Sequence, residues 1–87
     1  MNLLDRSAGA AERLLDALKP GESGVIARLG GDQAIARRLM ELGLVPGTPV
    51  QVVRRAPLGD PVAFELRGAR ICLRRSEAAR ILVEVPA

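Results

Sequence analysis

The side chains able to take part in covalent or proton-transfer chemistry are few: Ser7, Ser23, Ser76, the lone Cys72 and ten scattered carboxylates, with no histidine anywhere in the 87 residues. A serine or cysteine nucleophile needs a neighbouring base to take its proton, and histidine is the commonest base that titrates near neutrality. No spacing here pairs a nucleophile with a base, so the residues point away from catalysis and name no catalytic group. Ser7 and Ser76 read instead as caps of helical turns, and Asp32 and Asp60 as a cap and a loop residue. Gly30-Gly31 and Gly59 fall outside the G-x-x-x-x-G-K-S/T pattern that cradles phosphate, so no nucleotide or other cofactor is expected to bind this chain.

Metal chemistry is similarly restricted. Protein sites for transition metals draw mainly on histidine, cysteine and carboxylate. Cys72 is the only soft ligand, and strand alternation sets it on the face opposite Ile71 and Leu73, either as an accessible thiol or as a small buried apolar group. No metal site is therefore expected within one subunit. A metal would have to be shared between two molecules of a weak homodimer, through Cys72 with Glu65 or Glu84. One cysteine also excludes an internal disulfide, which fits a reducing compartment.

Twelve arginines and one lysine against ten acids give a net charge of +3, which raises the question of nucleic acid. Binders of single strands stack bases on aromatic side chains, and Phe64 is the only aromatic present. The paired arginines Arg37-Arg38, Arg54-Arg55 and Arg74-Arg75 lie in separate segments interleaved with acids, the pattern of a mixed solvated surface. No nucleic-acid partner is expected. No apolar run approaches the ~18 residues needed to span a bilayer. Asp5, Arg6, Glu12 and Arg13 occupy the place of a secretory apolar segment, so the sequence predicts a cytoplasmic protein without membrane insertion.

The elements that carry these residues are short. Leu4, Ala8, Ala11, Leu15 and Leu18 follow helical steps of four and three, which predicts an N-terminal helix ended by Lys19-Pro20-Gly21; the alternative is a frayed start in which only Leu15 and Leu18 pack. Ser23 to Leu29 reads as a strand broken by Gly30-Gly31. A helix over residues 32–42 follows, capped by Asp32 and closed by Gly43, with Ile35, Leu39 and Leu42 on its buried face and Arg37, Arg38, Met40 and Glu41 opposite. Pro46-Gly47 form the centre of a type II turn into a strand through Val50 and Val52. After the proline-bounded loop Ala56-Pro57-Leu58-Gly59-Asp60-Pro61, Val62-Phe64-Leu66 and Ala69-Ile71-Leu73 alternate across Arg67-Gly68 as a hairpin. Ser76 caps a short turn, and Ile81-Val83-Val85 alternate in a last strand. The class is mainly β: five short antiparallel strands that must close into a small barrel to hide their edges, with one helix across one end and the N-terminal helix outside.

Gly43-Leu44-Val45-Pro46-Gly47, Ala56-Pro57-Leu58-Gly59-Asp60-Pro61 and Leu73-Arg74-Arg75-Ser76-Glu77-Ala78, preceded in order by Lys19-Pro20-Gly21-Glu22-Ser23-Gly24 and Gly30-Gly31-Asp32, resemble the FeoA family from about Leu15 to Val85. Each piece alone is ordinary turn chemistry; the ordered set is specific. The resemblance implies an SH3-like barrel over residues 15–87 behind an N-terminal extension over 1–14. It also implies a non-enzymatic cytosolic accessory role in ferrous iron transport, with the FeoB transporter and its GTP-hydrolysing cytosolic domain as partner. The runner-up is a detached SH3-like regulatory module of a metal-dependent repressor system similar to the diphtheria toxin regulator.

Eukaryotic SH3 domains grip proline-rich peptides in aromatic grooves. Phe64, placed inside by alternation, cannot supply one, so a protein partner must be met by aliphatic residues. The candidates are Leu44, Val45, Val53 and Leu58, with the alternatives that Leu44 is core and that the others are ordinary surface aliphatics.

Overall fold

The computed structural model describes residues 10–86. Six strands, β1 (Ala10–Leu14), β2 (Ser23–Leu29), β3 (Pro49–Arg55), β4 (Val62–Leu66), β5 (Ala69–Leu73) and β6 (Ile81–Pro86), make one antiparallel sheet in the order β1-β6-β2-β3-β4-β5. A 3-10 turn at Leu15–Ala17, helix α1 (Gln33–Glu41) and the single-turn helix α2 (Arg75–Ala78) fill the connections. Successive side chains of a strand point to opposite faces. The inward set includes Val50 and Val52 of β3, Val62, Phe64 and Leu66 of β4, and Ile81, Val83 and Val85 of β6. They meet Leu15, Leu18, Ile26, Leu39, Leu44 and Leu73 in one aliphatic core around the single Phe. Register shifts at Ile26/Arg28 and Val52/Arg54 mark bulges that bend the sheet around this core.

Two expectations change at the N-terminal side. Ala10–Leu14 is a strand and not part of a helix: it pairs with β6 from Ala10 opposite Pro86 to Leu14 opposite Leu82, and supplies the sixth strand. Leu4 and Ala8 lie outside the described residues. Helical spacing of apolar residues could not register that β6 has an unpaired side, whose backbone groups a sixth strand satisfies. Leu15 and Leu18 do reach the core, three residues apart on the 3-10 turn. In addition, among the described residues the hydrogen-bonded order does not close: β1 and β5 are its edges.

Helix α1 forms as its caps dictate. Asp32 Oδ1 accepts from the Ile35 N–H at 2.9 Å, and Gly43, at φ 101°, turns the chain so that the Leu44 N–H reaches the Leu39 carbonyl at 3.1 Å. Leu39 is fully buried and Ile35 packs on the core, but Leu42 is 43% exposed, because it sits at the C-cap and Leu44 fills the core in its place. The Thr48 N–H donates to the Val45 carbonyl at 3.1 Å across Pro46-Gly47, with Gly47 at φ 91°. The start of α2 also differs from expectation: it begins at Arg75, so Ser76 lies inside it, and the Glu77 carboxylate accepts from the Arg74 N–H at 2.9 Å as the cap. Glu77 additionally pairs with Arg38, tying α2 to α1.

Candidate interaction surface

The four aliphatic candidates separate in the structure. Leu44 is wholly buried, which removes it from any surface and makes it a core residue. Val45 is half-buried and lines a shallow groove of about 540 Å³ along the outer side of α1, with Gln33, Ala36, Arg37, Met40 and Glu41. Val53 is half-buried at the β3 bulge, where the register against β4 passes from Val52 to Arg54. Leu58 is 94% exposed, far more than any other large apolar side chain among the described residues.

Leu58 owes that position to the loop beneath it. The Gly59 N–H donates to the Ala56 carbonyl at 2.7 Å, closing a tight turn over Pro57 and Leu58, and Gly59 adopts φ 87°. The Ala56 N–H donates to the Pro61 carbonyl at 3.0 Å, so the loop is bonded to itself at its base, where the Asp60-Pro61 peptide is cis. Asp60 Oδ1 accepts from the Arg75 N–H at 3.1 Å, fastening the loop to the first residue of α2. Proline rings fix φ at Pro57 and Pro61. The side chain at the tip is therefore presented on a backbone with little freedom left to lose.

The same region is braced by a charged cluster. Asp16, only 17% exposed, pairs with Arg55 at 3.3 Å and with Arg75 Nε at 3.2 Å. Arg55 also donates to the carbonyls of Asp16 and, at 3.0 Å, Leu18. The 3-10 turn, the end of β3 and the start of α2 thus meet at one carboxylate, whose partners Arg55 and Arg75 respectively precede the loop and bond to its Asp60. Bonding to Asp16 raises the Arg75 guanidinium above its ordinary value, so it stays charged.

Cys72 is exposed on the outer face of β5, opposite Ala63 and diagonal to Glu65, which settles the sequence alternatives in favour of the accessible thiol. Glu84 lies on β6, with β2, β3 and β4 between it and Cys72. Among the described residues no three His, Cys, Asp or Glu side chains come together. No helix among them is long and apolar enough to cross a membrane.

Beyond the four candidates, Met40, exposed at 45%, lines the α1 groove, and Leu42 is 43% exposed at the C-cap. The signal for Met40 was its place on the charged face of the helix. Leu42 gave none, since its spacing assigned it to the core.

The FeoA domain model matches residues 13–85. The chain belongs to the FeoA family. An Fe(2+) transport protein A/Fe(2+) transporter FeoB fusion protein of Porphyromonas gingivalis is 39% identical over 71 residues, covering 82% of this chain. The chain spans only 8% of that relative's length. FeoA of Stenotrophomonas maltophilia, described as a prokaryotic SH3 domain protein and solved in complex with zinc, is 38% identical with a TM-score of 0.69, over 79% of this chain and 86% of that one. A manganese-dependent transcriptional repressor, 23% identical, shares the fold alone, with a TM-score of 0.77 over 87% of this chain and 42% of that one. The fold is SH3-like and mainly β, with β1 as a strand beyond the five that the sequence suggested.

Proposed function

We propose that this protein is a non-enzymatic accessory component of ferrous iron uptake that acts in the cytosol, where it binds and modulates an FeoB-like transporter at its GTPase region. The observation that carries the proposal is Leu58, an almost fully exposed aliphatic side chain at the tip of a loop whose base and flank are hydrogen-bonded. Such a loop loses little entropy on docking, and its side chain can fill an apolar pocket on a partner. The Porphyromonas gingivalis relative, in which transport protein A and FeoB form one chain, supports FeoB as that partner. Stenotrophomonas maltophilia FeoA, named as a candidate activating factor of ferrous iron transport, supports the role.

In this reading GTP hydrolysis and metal passage belong to the transporter. The part of this chain is to present Leu58, with Val53 and Val45 as further apolar contacts. The proposal is tested by pull-down of an FeoB cytosolic domain with the purified protein, with and without GTP and Fe(2+). Capture by the native chain and loss with Leu58→Asp are expected. Failure of the native chain to capture it, or equal capture by the variant, would overturn the proposal.

A further inference from the structure

The sheet ends at β5, and nothing among the described residues pairs with its outer side. The hairpin geometry says which backbone groups that leaves free. Arg67 and Gly68, at φ 52° and 80°, form a two-residue turn of the type that matches strand twist, so the flanking Leu66 and Ala69 are a mutually hydrogen-bonded pair. Antiparallel pairs alternate between bonded and non-bonded. Phe64 with Ile71 and Val62 with Leu73 are therefore bonded, whereas Glu65 with Arg70 and Ala63 with Cys72 are not. The N–H and C=O of Arg70 and Cys72 consequently point away from β4, along the open edge, and both residues are exposed.

The charge along this edge has one sign. Residues 67–75 contain Arg67, Arg70, Arg74 and Arg75 and no acid. Arg75 is held by Asp16, and Arg67 Nη2 lies 3.4 Å from the hydroxyl of buried Thr48. The side chains of Arg70 and Arg74 make no ion pair among the described residues, although Glu65 stands opposite Arg70 and Asp60 lines a cleft with Arg74. A free strand edge flanked by uncommitted guanidinium groups selects an extended, acidic partner, because main-chain bonding and charge pairing then act together. A second copy of β5 would instead bring arginines against arginines.

We infer that the β5 edge takes up an extended acidic segment of a partner chain as a seventh strand, bonded to the backbone of Arg70 and Cys72 and paired with Arg70 and Arg74. This surface adjoins the base of the Leu58 loop, where Arg74 shares a cleft with Asp60 and Pro61, but the inference does not depend on the assignment made above for Leu58.

The test uses the whole protein and a labelled ten-residue peptide of alternating threonine and glutamate, with alternating threonine and lysine as control. Fluorescence anisotropy should show salt-sensitive binding of the acidic peptide alone, and amide exchange should slow at Arg70 and Cys72. Cys72→Pro removes an N–H that points outward and leaves the β4–β5 ladder its bonds, a position where an edge strand tolerates proline. It should weaken binding about tenfold or more, while Cys72→Ser binds as the native chain does. Arg70→Glu with Arg74→Glu should abolish binding. Binding of both peptides alike, no change in exchange at Arg70 and Cys72 of the native protein, or slowed exchange there with rising protein concentration and no peptide would overturn the inference, the last by showing a second copy on the edge.

Discussion

Leu58→Asp is the substitution that best separates a docking residue from a packing one. At 94% exposure Leu58 contributes almost no buried area to the fold, and the loop bonds beneath it are all made by backbone groups or by Asp60. Surface changes of this kind stay within about 0.5 kcal/mol of the native stability. For a domain this small that is a shift of no more than roughly 4 °C in melting temperature. Binding is affected through a different route. Burying a leucine side chain contributes roughly 1.5 to 3 kcal/mol, so its loss alone weakens association by about 10- to 150-fold. An aspartate in the same apolar pocket adds the cost of an unpaired buried charge. The assay is a pair of measurements on the same samples: thermal melting by circular dichroism, and affinity for the FeoB cytosolic domain by calorimetric titration. A fall of 10 °C or more would show that Leu58 folds back and packs, and an unchanged affinity would show that the partner surface lies elsewhere.

Leu39→Ala should cost about 2 to 5 kcal/mol in urea melts, since it empties a fully buried position on α1; a change under about 0.5 kcal/mol would contradict the burial. Glu22 is held below its ordinary 4.5 chiefly by the Lys19 N–H, which it accepts at 2.6 Å, and further by Arg13. A depressed carboxylate stabilises the fold above its unfolded value and loses that contribution as pH falls through the folded one. Glu22→Gln should therefore lower stability at neutrality and flatten the decline on acidification below about pH 4.5, so that variant and native chain converge in acid; an unaltered acid limb, or equal stability at neutrality, would refute the assignment. Calorimetric titration with zinc should find no submicromolar site in the monomer, and any weak binding should vanish in Cys72→Ser. A tight site that survives dilution would contradict the lack of a ligand cluster.

Much of the fold was readable because local chemistry and tertiary structure agree. The alternation of Val62, Phe64 and Leu66, the Arg67-Gly68 reversal, the Asp32 cap and the Pro46-Gly47 turn each form where the residue types predict. The misreadings share a cause: the deciding partner was distant in sequence. Ala11 and Leu15 fit a helical face, but the unpaired side of β6, some seventy residues away, takes Ala10–Leu14 as a strand. Leu42 fits the apolar face of α1 until Gly43 redirects the chain and Leu44 takes the buried place. Leu58 was legible as exposed because Pro57 and Pro61 bound a short loop. The bracing of that loop by Asp16, Arg55 and Arg75 was not, since an ion cluster assembled from three elements has no spacing rule in the chain.

The most direct measurement is a titration of isotope-labelled protein with the unlabelled FeoB cytosolic domain, followed residue by residue through the amide resonances. The account predicts saturable changes concentrated at Ala56, Leu58, Gly59 and Asp60, reaching Val53, and absent when Leu58 is aspartate. No saturable change, or changes confined to surfaces remote from residues 56–61, would contradict it.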